Sequence, residues 1–206
     1  MIAPHVMVSF FITSVILALS PGPDNLFVLA QSAQNGRRAG YSVTLGLATG
    51  LMVHTVAVTF GLAAVVRSSA LAFGILKYTG AIYLLSLAWQ AFRSAAATGR
   101  QEMVPVLSSM ALYRRGIVMN LANPKVSLFF IAFLPQFADP RQASMTAQFL
   151  QLGTLFILAT LLVFSLIALF AGGVGERLCN SPFAQQLVNR IAALLFIAIA
   201  CKLALS

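Results

Sequence analysis

Five stretches of this chain are long enough to cross a bilayer and hold at most one charged side chain each. They are Val6–Pro23 (its apolar character resuming over Leu26–Ala30), Tyr41–Val66, Ala70–Phe92, Gly116–Phe137 and Gln142–Gly175. Lys77 and Lys125 are their only Lys or Arg. A helix needs about 20 predominantly apolar residues to span the hydrocarbon core. A sixth stretch is weaker, because Arg190 and Lys202 bracket the uncharged Ile191–Cys201; it crosses if Arg190 snorkels toward the headgroups. Charged residues make up 8% of the chain, against about a quarter in soluble domains. That excludes an ordinary globular fold, and 60% hydrophobic residues exclude disorder. The expected fold is therefore an all-α integral membrane protein of six transmembrane helices, with the lipid bilayer as its surroundings.

The net charge of +9 does not point to nucleic acid, because the Arg residues fall mainly between apolar runs. There they report orientation. Arg37, Arg38, Arg93, Arg100, Arg114, Arg115, Arg177 and Arg190 lie in the odd-numbered loops; Arg67 and Arg141, with Lys77 and Lys202, lie on the other side. The positive-inside rule puts the odd loops in the cytoplasm and both termini outside. A cleaved signal peptide is not expected, since no Lys or Arg precedes Arg37 and Ser20 runs into Pro21-Gly22-Pro23.

Two of the spans carry interruptions. The first is broken by Ser20-Pro21-Gly22-Pro23-Asp24-Asn25, the fourth by Asn120-Leu121-Ala122-Asn123-Pro124-Lys125. Proline removes an intrahelical hydrogen bond and clashes with the preceding turn, so neither segment continues as a regular helix. Inside a bilayer the freed carbonyl groups must be satisfied by protein or water, which favours helix junctions and cavities. Pro23 and Pro124 lie 101 residues apart, and each precedes a charged residue and an apolar run. Chance recurrence is the plain explanation. Duplication of a three-span unit is the sharper one, and three spans threaded twice must enter from opposite sides. The expectation is one transmembrane domain, residues 1–206, of two inverted three-helix repeats: a first repeat over 1–92, a cytoplasmic linker over 93–113 and a second repeat over 114–206. Broken helices at matching positions of such halves point to a transporter's binding site.

Asp24 is the only acidic residue within an expected span; Glu102, Asp139 and Glu176 fall in loops. An ionisable group at membrane depth is costly, so it is paired, wet or functional. Superposed breaks bring Asp24 and Lys125 together near the midplane, either as a structural ion pair or as a site for a zwitterion. In the second case Lys125 takes the carboxylate and Asp24 the ammonium, while helix ends add free N–H and C=O groups. Asn25, Asn120 and Asn123 supply amide groups there, or merely cap the broken ends. His54 either packs within the second span or lines the cavity. Gly46 and Gly50 allow close helix approach. The phenylalanines read as lipid or core contacts. No nucleotide-binding loop is present, no cofactor is expected, and a proton is the simplest coupling ion, with Asp24 its candidate carrier.

The two motifs, with Phe129–Phe137 ending in Leu-Pro-Gln-Phe, resemble the paired signatures of the LysE/RhtB family of bacterial inner-membrane amino-acid exporters, which includes homoserine/threonine and leucine efflux proteins. The resemblance covers the whole chain. It implies a multi-pass inner-membrane protein, not an enzyme, exporting small amino acids by the proton motive force. It leaves the cargo open, as well as whether the chain works alone or as a homo-oligomer. Rival readings are a membrane redox carrier or a metal or cation exporter of the same duplicated architecture. The first needs a cysteine near each break, whereas Cys179 and Cys201 both lie in the second half. The second needs more ligands than Asp24 and His54, so no metal site is expected.

Overall fold

In a computed structural model of the chain, the described residues are 2–20, 22–68, 70–93, 106–139, 142, 144–171 and 181–205. All the regular structure among them is helical: α1 (Pro4–Leu19), α2 (Pro23–Asn35), α3 (Arg37–Ser68), α4 (Ala70–Arg93), α5 (Ser109–Ala122), α6 (Pro124–Phe133), a 3₁₀ turn (Leu134–Phe137), α7 (Met145–Phe170) and α8 (Pro182–Leu205). Several boundaries follow from local chemistry. Pro4, Pro23 and Pro124 stand at first helical positions, where their missing N–H costs nothing. Gly36, at φ 84°, takes a left-handed turn that separates α2 from α3. Ser108 caps α5 by accepting from the Ala111 N–H at 3.3 Å, and Asn123 Oδ1 caps α6 by accepting from the Lys125 N–H at 3.0 Å.

Two consecutive helix pairs are sharply bent: α1 to α2 by 64°, and α5 to α6 with its 3₁₀ turn by 56°. Among the described residues, two helices are long and apolar enough to cross a bilayer alone, over Arg37–Gly61 and Met145–Phe170. The number rises to four if each bent pair is one span. In α8 the apolar part runs over Gln185–Ala198, with Arg190 exposed on the same helix.

The sequence counted Arg114 and Arg115 in the loop before the apolar run of the fourth span, but the structure puts both inside α5. The Ser108 cap starts that helix before the apolar run begins, and the two Arg side chains stay exposed. Arg115 lies over the Phe27 ring at 4.8 Å. Residues 94–105 of the expected linker are outside the described residues, as are Pro21, Arg177 and Cys179.

At the centre, α3 packs on α2, α5 and α7, and α7 packs also on α1 and α2; α4 pairs with α8 and touches α6. The α3–α5 crossing is close because glycines face each other. A Cβ on Gly46 would strike the Tyr113 carbonyl, and one on Gly116 the Val43 carbonyl. Thr49 Oγ1 and the Tyr113 hydroxyl share a hydrogen bond of 3.0 Å across the same contact. One core cluster is built on Phe10, Phe129, Phe130, Phe133 and Phe149, a second on Val28, Val43, Leu47 and Leu112. The Phe129 and Phe133 rings stack at 4.2 Å. Exposed Leu45, Phe60, Ile82, Phe92, Leu158 and Leu194 form an apolar exterior suited to lipid.

Candidate functional site

Ending a helix in mid-core leaves up to four carbonyls without partners, and α1 shows where they go. Asn25, on α2, donates from Nδ2 to the Ala18 carbonyl at 2.6 Å. Lys125, on α6, donates from Nζ to the Ser20 carbonyl at 3.1 Å and to that of Leu17 at 3.5 Å. A cation at a helix C-terminus also meets the negative end of the macrodipole. Lys125 therefore closes the end of a helix that lies more than a hundred residues earlier in the chain.

Asp24 occupies the first turn of α2, is only 5% exposed, and accepts from Asn123 Nδ2 at 3.1 Å through Oδ2. Asn123 serves both neighbours, since its Oδ1 caps α6. The two contacts are reciprocal: the charged residue of each break binds the break of the other half. Among the described residues no ion pair joins Asp24 to Lys125; each is held by neutral groups of the opposite break. Charge-assisted hydrogen bonds of this kind are about twice as strong as neutral ones.

Between the breaks lies a partly open cavity with a free volume of about 40 Å³. Gly22, Asp24, Asn25, Asn120, Asn123 and Lys125 line its polar part. Leu17 and Ala18 of α1, Leu51 of α3, Val126 of α6, and Phe156, Thr160 and Phe164 of α7 complete the wall. Of three N–H groups on Lys125, two are used on carbonyls, leaving one. Asp24 Oδ1, Asn120 Oδ1 and Thr160 Oγ1 are buried without a hydrogen-bond partner. An unsatisfied buried polar atom costs about 1–3 kcal/mol. All three residues line the cavity, beside an ammonium with an N–H to spare, although Asn120 Oδ1 itself packs against Gly50 of α3.

Pro23 and Pro124 start helices and do not line the cavity; Pro21 lies outside the described residues. His54 is not on the cavity wall. It is half-buried behind α5, with Nε2 3.4 Å from the Asn120 carbonyl and its ring 5.7 Å from that of Phe130. The α7 residues escaped the sequence reading. Phe156, Thr160 and Phe164 recur every fourth residue, one helix face, and a lone hydroxyl between two rings in an uncharged span was the available signal. Phe156 and Phe164 belong to the core clusters, as expected of the phenylalanines, and also line the cavity. Cys201 is exposed on α8. Among the described residues no group of three His, Cys, Asp or Glu side chains is placed to hold a metal.

The family model described as LysE type translocator matches residues 15–206, a span that contains both breaks and every cavity residue. The homoserine/homoserine lactone efflux protein of Salmonella typhimurium is 34% identical over 196 residues, 95% of this chain and 94% of its own length. An uncharacterized membrane protein of Vibrio cholerae is 34% identical over 193 residues, 93% of each chain. The leucine efflux protein of Salmonella choleraesuis is 27% identical over 197 residues, 95% of this chain and 93% of its own. No solved structure matches. With the match running unbroken from α1 to the last residue, the chain belongs to the LysE type translocator family, whose members are membrane transporters and not enzymes.

Proposed function

We propose that this chain is a secondary-active exporter of small amino acids across the bacterial inner membrane. It works by alternating access around the cavity where the two bent helix pairs meet. The carrying observation is that Asp24 and Lys125, from opposite halves, line one cavity without neutralising each other directly. A zwitterionic amino acid carries the complement of each charge. Its ammonium goes to the Asp24 carboxylate, whose Oδ1 has no other partner, and its carboxylate to the remaining N–H of Lys125. Charges are admitted to a low-dielectric site only when paired and hydrogen-bonded, so a cargo with one charge missing is disfavoured. The names of two relatives, which specify efflux of homoserine and its lactone and of leucine, support the cargo class and the outward direction.

The membrane arrangement belongs to the same proposal: six spans, with α1–α2 and α5–α6 as the bent first and fourth, in two inverted repeats. Helix packing supports it. Exchanging the halves maps the α3–α5 contact onto α7–α1 and the α2–α7 contact onto α6–α3, while α3–α7 and α4–α8 map onto themselves. Rocking of one repeat against the other would expose the cavity to each side in turn. Protons are the proposed coupling ion, with Asp24 as carrier, because it is the one carboxylate among the residues that line the cavity.

The test is counterflow and efflux in proteoliposomes holding the purified full chain. Labelled small amino acids should exchange, and a pH gradient should drive their accumulation against concentration. Exchange without any response to the gradient would remove proton coupling; no exchange of any amino acid would remove the function.

A further inference from the structure

The polar groups of the cavity divide unevenly. Its charged and amide side chains all come from the breaks, whereas α7 presents two rings with a single hydroxyl between them. A cargo that places its ammonium on Asp24 and its carboxylate on Lys125 leaves its side chain to the rest of the wall, where Thr160 is the one hydroxyl.

Thr160 differs from other buried hydroxyls of the bundle. A Ser or Thr inside a helix ordinarily satisfies itself on the carbonyl four residues back. Thr13, Ser14, Ser32, Thr44 and Thr55 do so here, at 2.6–2.9 Å. Thr154, one and a half turns before Thr160 on the same helix, does so at 2.8 Å. Thr160 does not, although it is only 4% exposed. Among the described residues Thr59 is the other buried hydroxyl without a partner, and it lies off the cavity. A hydroxyl held away from its own helix, on a cavity wall and between Phe156 and Phe164, is available to a guest.

We propose that Thr160 determines side-chain specificity: its hydroxyl hydrogen-bonds the cargo's side chain, so the transporter favours short side chains ending in a hydroxyl over isosteric ones ending in a methyl. This rests on reading the cavity as the amino-acid site. A site whose buried polar group is left unpaired by the wrong substrate discriminates far better than an apolar pocket judging size.

Two isosteric pairs isolate the hydroxyl, homoserine against norvaline and threonine against valine. In proteoliposomes holding the full chain, counterflow should favour the hydroxylated member of each pair. Thr160→Val, which replaces the hydroxyl by a methyl, should shrink that preference by about tenfold. Thr160→Ser should retain the preference. Where Thr160→Val yields no folded protein, Thr160→Ala carries the same expectation. Equal wild-type flux of both members, a preference unchanged in Thr160→Val or Thr160→Ala, or its loss in Thr160→Ser would each overturn the assignment, while amino-acid transport itself stood. Absence of counterflow for every amino acid would instead overturn the transport reading, and this assignment with it.

Discussion

Replacing Lys125 by Met keeps the side chain but for its last atom and removes its charge and donors. Two effects follow from the geometry. The Ser20 carbonyl loses its 3.1 Å partner, and the longer contact to Leu17 goes with it. A hydrogen bond to a charged group contributes about 1.5–3 kcal/mol, and a cation at a helix C-terminus adds about 0.3–1 kcal/mol. Relief from burying an ammonium offsets part of this sum, leaving a net destabilisation of about 2 kcal/mol, or about 4–8 °C in Tm for a chain of this size. The second effect is on cargo, which loses the partner of its carboxylate inside the cavity. Truncating one member of a buried charge pair costs about 2–5 kcal/mol, hence about one and a half to three and a half decades of affinity. Thermal unfolding of purified protein, followed by the fluorescence of its single tryptophan, reads the first effect. Binding of labelled amino acid to the same preparation reads the second. Lys125→Met with wild-type affinity would refute the argument, because a lysine serving only to close α1 leaves binding intact when its charge is removed.

Other outcomes follow from the same structure. Gly46→Leu should prevent recovery of monodisperse protein, since even a Cβ there strikes the Tyr113 backbone; size-exclusion chromatography in detergent checks it. His54→Leu should leave amino-acid exchange within about twofold of wild type, because its one hydrogen bond is long and contributes about 0.5 kcal/mol at most; proteoliposome counterflow is the measurement. With six spans and cytoplasmic odd-numbered loops, alkaline phosphatase fused after Ser206 should be active, and green fluorescent protein at the same point dark.

Both helix interruptions were legible because their residues are chemically conspicuous. Proline, glycine, asparagine and a lone charge have no ordinary place in a run of Leu, Phe and Ala, and their spacing by half the chain suggested a shared site. The close approach of α3 and α5 was readable from Gly46 and Gly50 for a similar reason, since a missing side chain is visible in the sequence. The partners of Asp24 and Lys125 were not. A direct ion pair and two reciprocal cross-links to Asn123 and Ser20 have the same sequence signature, and backbone carbonyls carry no residue identity. The start of α5 was hidden because apolarity set the expected boundary, whereas the Ser108 cap sets the real one; the helix includes Arg114 and Arg115 in its polar first turns. The α7 wall was missed because Thr160 looks like any hydroxyl that bonds its own helix. Its failure to do so, at a position on the cavity wall, is visible only in the structure.

The central claim is that Asp24 receives the ammonium of an amino acid. The chain has two aspartates, Asp24 and Asp139, so protein labelled with ¹³C at the Asp carboxyl gives two assignable signals, with Asp24→Asn removing one. Solid-state NMR in lipid bilayers, with a ¹⁵N-labelled amino acid bound, measures the distance from each carboxyl carbon to the ligand nitrogen. The prediction is a separation of about 4 Å or less for Asp24, as hydrogen bonding requires, and no measurable coupling for Asp139. Saturating ligand that shows no coupling to Asp24 would contradict the account.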